Sequence, residues 1–295
     1  MKDPNSQYTL ITGASTGLGK AFALECAHRK MNLVLSALPN ENLEDLTRQL
    51  RQNHGIKVFY KETDLTNRVA VEEFAQWATS NFSINILINN AGIGGTQHFI
   101  DSTTTYLDDM IQLNIRAMTL LTRLLLPSLK QQTPAHILNV SSLAAFSPVP
   151  YKTIYPASKA FIHHFSRGLE AELQDTNVRV SVLNPGPIMT NSDVCKRIDA
   201  QSSYVKLSIM TPEQVAQIAL KKMLRGKSVI IPGLMNRINA FFIRLVPVNF
   251  RIFVGTQIFK RENRKTRNYE GTRNRSKQPA WKQPDQKAAA SRLQG

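Results

Sequence analysis

Short, nearly continuous apolar runs punctuate the first 233 residues, and between them apolar positions return every three to four residues. The runs predict strands at Tyr8–Thr12, Asn32–Ser36, Lys57–Glu62, Ile84–Asn89, His136–Val140, Arg179–Leu183 and Ser228–Ile231. The helical spacing predicts helices near 17–30, 42–53, 67–80, 103–131, 155–175 and 212–225. Strands with apolar residues on both faces, alternating with helices, imply a doubly wound α/β fold: a parallel seven-stranded sheet covered on both sides, in one domain over residues 1–233. Local chemistry supports several boundaries. Thr211-Pro212-Glu213 places a capping residue before a proline at the first helical position. Asp64 to Thr66 and Asn184 to Pro187 supply turn residues directly after predicted strands.

The pattern changes after residue 233. Leu234, Met235, Ile238, Phe241, Phe242, Leu245 and Val246 fall on one face of a helical wheel, with Arg237 and Arg244 opposite, before Pro247 interrupts. This amphipathic extension, 234–259, suits either packing on the body or another subunit, or a peripheral contact with a membrane or greasy substrate. From residue 260 to 295 aliphatic residues almost vanish, which predicts a disordered tail. The tail holds eleven Lys/Arg against three acids, a net +8 and half of the chain's +16. A solvated tail is the simpler reading, and nucleic acid is not the expected partner.

A hydrophobic fraction of 42% with 20% charged residues describes a folded body and excludes wholesale disorder. The start of the chain lacks the features of a secretory signal, and no run approaches the ~18 uninterrupted apolar residues of a spanning helix. Cys26 and Cys195 have no metal or redox spacing, as expected of free thiols in the cytoplasm.

Gly13-Ala14-Ser15-Thr16-Gly17-Leu18-Gly19 follows the first strand and opens the first helix. Glycines there allow a tight turn and close approach to a pyrophosphate, which the positive end of the helix favours. Tyr155 and Lys159, four residues apart, share one face of a predicted helix, and a cation there favours the ionised phenol. Ser142 lies thirteen residues before Tyr155, at the carboxyl end of a predicted strand, where open α/β sheets bind ligands. Ser141 is its neighbour, and in extended chain only one of the two is expected to face a substrate. His163 and His164 lack a third ligand, so packing or a subunit contact is expected; His98 and His136 suggest no more. Glu72 and Glu73 read as a solvated helix face, and no metal site is expected.

The Gly-x-x-x-Gly-x-Gly spacing, Asn89-Asn90-Ala91-Gly92 and Tyr155-x-x-x-Lys159 resemble the short-chain dehydrogenase/reductase family, in its single-domain branch with a Rossmann fold. The resemblance implies a carbonyl or alcohol substrate and a nicotinamide cofactor. It implies catalytic roles for Asn114, Ser142, Tyr155 and Lys159. It implies cofactor contacts from Gly13, Ser15, Thr16, Gly17, Leu18, Gly19, Asp64, Leu65, Asn90, Ala91, Gly92, Tyr155, Lys159, Pro185, Gly186, Ile188 and Thr190. In this reading Lys159 lowers the Tyr155 pKa. The second strand ends in Leu35-Ser36-Ala37-Leu38-Pro39-Asn40, with neither the acid that suits NAD nor the arginine that suits NADP. The basic body favours NADP, with NAD as the alternative. Residues 188–210 are expected to fold over the nicotinamide, with Met189, Val194, Tyr204 and Leu207 lining an apolar pocket. The extension is similar to those of bacterial ketoacyl- and steroid-reductase-like members, so NADPH-dependent reduction of a hydrophobic ketone or 3-oxoacyl substrate is expected, in a homodimer or homotetramer. A cofactor-sensing regulator without turnover and an extended-type dehydratase or epimerase are the alternatives.

Overall fold

The computed structural model describes residues 6–95, 98–189 and 208–257. Seven strands form one all-parallel sheet: β1 (Gln7–Thr12), β2 (Asn32–Ala37), β3 (Val58–Glu62), β4 (Ser83–Asn89), β5 (Ala135–Val140), β6 (Val178–Leu183) and β7 (Val229–Ile230). Their order in the sheet is β3-β2-β1-β4-β5-β6-β7. The direction of winding therefore reverses between β1 and β4, and such a switch point opens a crevice beyond the carboxyl ends of the strands.

The helices are α1 (Gly17–His28), α2 (Leu43–His54), α3 (Arg68–Asn81), α4 (Thr104–Ile111), α5 (Met118–Leu129), α6 (Ile154–Glu172), α7 (Pro212–Met223) and α8 (Leu234–Leu245). A further helical stretch covers 248–257. Two apolar clusters sandwich the sheet. One joins Ile11, Leu33 and Leu35 to Phe22 of α1, Leu43 of α2 and Val215 of α7. The other joins Leu10, Val34 and Leu87 to Phe74 of α3 and Leu121 of α5. Adjacent residues Val34 and Leu35 thus enter opposite clusters, as side chains alternate across a strand. That double burial explains why these strands read as unbroken apolar runs.

Two elements depart from the sequence expectation. The single helix expected over 103–131 is α4 and α5 joined by a π-helical turn, Gln112–Ala117. The last strand has only two residues. At the start of α7, Thr211 and Gln214 form a reciprocal capping box with Pro212 in the first turn, as that segment's sequence implies.

Candidate active site

The glycine loop begins where β1 ends. Gly13 and Gly17 adopt φ of 64° and 53°, backbone that glycine adopts without steric cost. Gly19 tolerates no side chain, because a Cβ there would lie 1.8 Å from the Gly13 carbonyl oxygen. Thr16 occupies the N-cap of α1 without a side-chain capping bond, and the first turn holds no acid. The leading N–H groups of α1 therefore face the crevice with a positive dipole end, which fits a diphosphate.

The strand next door braces this loop. Asn90 donates from Nδ2 to the carbonyls of Thr12 (3.0 Å) and Gly13 (3.1 Å). Thr12 Oγ1 accepts from the backbone N–H groups of Asn90 and Ala91, each at 3.0 Å. Thr12 is thus a positioning residue for the loop. Asp64 stands after β3 and accepts from Thr66 N at 2.9 Å and Thr66 Oγ1 at 2.7 Å, an Asx turn, with Leu65 buried behind it. Ser15 donates to the Glu41 carboxylate, so an acid from beyond the end of β2 reaches the loop.

Tyr155 stands in the first turn of α6. Its phenol stands beside the hydroxyl of Ser142, which follows the end of β5 and accepts from Ala144 N at 3.1 Å. Ser141 turns the other way and donates to the Lys159 carbonyl at 2.7 Å, fixing α6 against β5. Lys159 is buried, and its Nζ donates to the Val140 carbonyl at 3.0 Å. Burial pulls the Lys159 ammonium down to about 8. The Tyr155 phenol moves upward from its usual value, because burial outweighs the opposing influence of the Ser142 hydroxyl. In this arrangement, with Nζ turned to Val140, burial rather than Lys159 sets the direction of the phenol. Nζ lies 5.7 Å from the centre of the ring and is turned toward Val140.

Asn114 lies inside the π-helical turn. Its side chain exchanges hydrogen bonds with Ile93, donating to the carbonyl and accepting from N–H, both at 2.9 Å. It also donates to Ser158 Oγ at 3.0 Å, which in turn donates to the Tyr155 carbonyl at 2.8 Å. Asn114 therefore ties the segment after β4 to the first turn of α6. A Cβ on Gly92 would lie 3.0 Å from Asn114 Oδ1 and 3.4 Å from Lys159 Nζ, so both polar groups converge on that glycine. Gly94 has to be bare for a different reason: a Cβ would meet the Tyr155 ring at 2.5 Å. A small cleft opens beside Tyr155, with Phe99, Tyr106, Leu107, Met110 and Ile154 in its wall.

Pro185 and Gly186 follow β6, and Ile188 bridges to Met210. Met189 is exposed; Thr190, Val194, Tyr204 and Leu207 lie outside the described residues. Behind Gly186 sits Asn236 of α8, fully buried, with Nδ2 donating to the carbonyls of Ser208 (2.9 Å) and Pro232 (3.0 Å). A Cβ on Gly186 would come within 2.3 Å of Asn236 Oδ1. His163 of α6 meets buried Asn184 at 3.2 Å, one residue before Pro185. Burial chiefly lowers the His163 pKa, as suits a neutral packed ring. Both contacts were invisible in the sequence, since each joins residues of separate elements.

The remaining candidates are structural. Glu72 pairs with Arg68 at 2.9 Å on the surface, and the His98 ring rests against Tyr151. Cys26 is buried, with its thiol pushed up to about 12 by burial. Among the described residues no cluster of His, Cys, Asp or Glu could hold a metal ion, and no helix is long and apolar enough to cross a membrane.

The family model for short chain dehydrogenases matches residues 7–201. The very-long-chain 3-oxoacyl-CoA reductase of Anas platyrhynchos is 33% identical over 187 residues, which cover 62% of this chain and 60% of that protein. The chain thus spans only part of that relative's length. A short-chain dehydrogenase from Sphingobium yanoikuyae, solved in complex with NADPH, superposes with a TM-score of 0.70 at 31% identity, covering 80% of this chain and 92% of the other. The bulky-bulky ketone specific alcohol dehydrogenase of Comamonas testosteroni gives a TM-score of 0.67 at 27% identity, covering 94% of this chain and 97% of the other. With the matched region running through the glycine loop, Asn90, Asn114, Ser142, Tyr155 and Lys159, the chain belongs to the short-chain dehydrogenase/reductase family.

Proposed function

We propose that this protein interconverts a carbonyl and a secondary alcohol, using NADPH to reduce a hydrophobic ketone or 3-oxoacyl substrate. The observation that carries the reading is the Ser142 hydroxyl beside the Tyr155 phenol, with buried Lys159 behind it at the mouth of the sheet crevice. When bound, the nicotinamide supplies the hydride, with Gly13 to Gly19, Asp64, Leu65, Asn90 to Gly92, Pro185, Gly186, Ile188 and Thr190 holding the dinucleotide. Ser142 donates a hydrogen bond to the substrate carbonyl and stabilises the charge growing on oxygen. Tyr155 delivers the proton to that oxygen. Lys159, once turned from Val140 toward the cofactor ribose, brings a positive charge that eases ionisation of the phenol. Asn114 holds the neighbouring backbone and supports a water path from Lys159 to solvent.

The apolar side chains of Phe99, Leu107, Met110 and Ile154 beside Tyr155 favour a hydrophobic carbonyl. The bulky-ketone enzyme of Comamonas testosteroni, similar over nearly the whole chain, supports the same choice. A homodimer or homotetramer built on α5 and α6 fits the exposure of Leu124 and Phe161 on those helices. NADPH is favoured by the Sphingobium neighbour and the basic body. The second reading, NADH, rests on Glu41 beside Ser15.

Absorbance at about 340 nm, the nicotinamide band, followed with NADPH or NADH and a panel of bulky ketones and 3-oxoacyl thioesters, tests this reading. One cofactor is expected to be consumed, and Tyr155→Phe to lower kcat by about 10²- to 10⁴-fold while still binding it. Cofactor binding without turnover of any carbonyl would favour a sensor over an enzyme.

A further inference from the structure

The amphipathic helix α8 is mounted with its apolar side outward. Its buried residues are Asn236 and Ala240, whereas Leu234, Phe241, Phe242 and Leu245 are each 58–66% exposed. The outward exposure continues along 248–257, with Phe250 at 58% and Phe253 at 60%. The inward side cannot be exchanged for the outward one. Small residues and the Asn236 amide are what permit close approach to Gly186, and bulky Phe or Leu there would collide with that loop.

These helices are fastened where they lie. The Arg244 guanidinium stacks on the Phe146 ring at 4.3 Å, and Arg251 donates to the Phe146 carbonyl. Gly255 packs against Pro150. The exposed apolar surface is therefore a fixed face rather than a helix awaiting a place in the core.

Charge decides among the occupants of such a face. Along α8 and 248–257 there is no Asp or Glu, while Arg237, Arg244 and Arg251 are basic, and Lys222 lies near both Arg237 and Lys227. A second copy would set this cationic surface against itself, and like charges across a symmetric interface are unfavourable. An apolar face rich in Phe and Leu, flanked by Arg and Lys without acids, matches an anionic lipid surface on both counts.

We propose that the outward face of α8 and of residues 248–257 seats on an anionic lipid bilayer, with Arg237, Lys222 and Lys227 engaging the headgroups. The same helices back onto Gly186 and Phe146, so a seated protein holds its active-site mouth about one helix diameter, ~10 Å, from the lipid. Delivery of a membrane-dissolved carbonyl would then follow, but that consequence rests on the reductase reading, whereas docking does not.

Flotation of the full chain with neutral phosphatidylcholine vesicles, and with vesicles containing about one third phosphatidylserine, tests the docking. At least about tenfold more protein is expected to float with the anionic vesicles, and the combined variant Phe241→Ser, Phe242→Ser, Phe250→Ser, Phe253→Ser is expected to lose that binding. Absence of binding to anionic vesicles by the wild type would overturn the proposal. So would binding that survives the fourfold change, because the basic segments alone would then explain it. A wild-type dimer that the same substitutions convert to a monomer, measured by light scattering, would assign the face to a second copy instead. Should the fourfold variant not fold, Phe253→Cys in a Cys195→Ser background, carrying an environment-sensitive dye, gives the same decision. A blue shift with anionic vesicles supports seating, and an unchanged spectrum overturns it.

Discussion

Among the described residues no acid neutralises the buried Lys159, and the fold carries that burden for the sake of the site. Its fall from an ordinary 10.5 to about 8 corresponds to a destabilisation on the order of 3 kcal/mol. Below pH 8 the lysine is protonated in both folded and unfolded chains, so the whole penalty weighs on the fold. Between about 8 and 10.5 the unfolded chain binds more protons, so stability rises with pH through that window. Lys159→Met is therefore expected to stabilise the protein by about 1–3 kcal/mol at neutral pH, to lose that advantage toward pH ~10, and to abolish turnover. Thermal melts at the two pH values check this; a variant less stable than wild type at neutral pH would refute it. Gly94→Ala tests the neighbouring steric constraint. Its Cβ displaces the Tyr155 ring, so kcat is expected to fall about tenfold or more with little change in melting temperature. Tyr155, Lys159 and Ser142 were legible in the sequence because their separation along the chain reflects one strand-to-helix crossing. The direction in which Lys159 points was not, since it depends on the Val140 carbonyl next to it in space.

Elements explain the next level. The strands were readable because a sheet covered on both faces leaves no polar alternation, as Val34 and Leu35 demonstrate by entering opposite clusters. The π-helical turn in QLNIRA was not readable, because the local apolar spacing continues across it. That turn holds Asn114 where it bonds Ile93 and Ser158. The apolar stripe of α8 was readable as a stripe, yet its orientation was open until Asn236 was found inside. Asn236→Ala removes bonds to the Ser208 and Pro232 carbonyls and leaves both buried acceptors short of a donor. A loss of about 1–3 kcal/mol is expected from denaturant titration. Weaker cofactor binding is expected in fluorescence titration, because Gly186 rests on that amide. An unchanged cofactor affinity would confine Asn236 to a structural role.

At the scale of the molecule, the charge distribution and the crossing point of the sheet set the behaviour. Glu41 reaches the loop at Ser15, where a negative charge disfavours the extra phosphate of NADPH. Glu41→Gln is expected to raise the ratio of kcat/KM for NADPH over NADH several-fold, and an unchanged ratio would place Glu41 outside the cofactor's reach. The order of elements, the two-sided burial of the strands and the spacing of Gly13 to Gly19 and Tyr155 to Lys159 were determined by the sequence itself, because each depends on residues close together along the chain. Three matters were decided only by tertiary structure: the brace between Asn90 and Gly13, the approach of Glu41 to Ser15, and the outward mounting of α8. Each joins residues from separate elements, and such pairs acquire meaning only once the sheet order has brought their strands, loops and helices together.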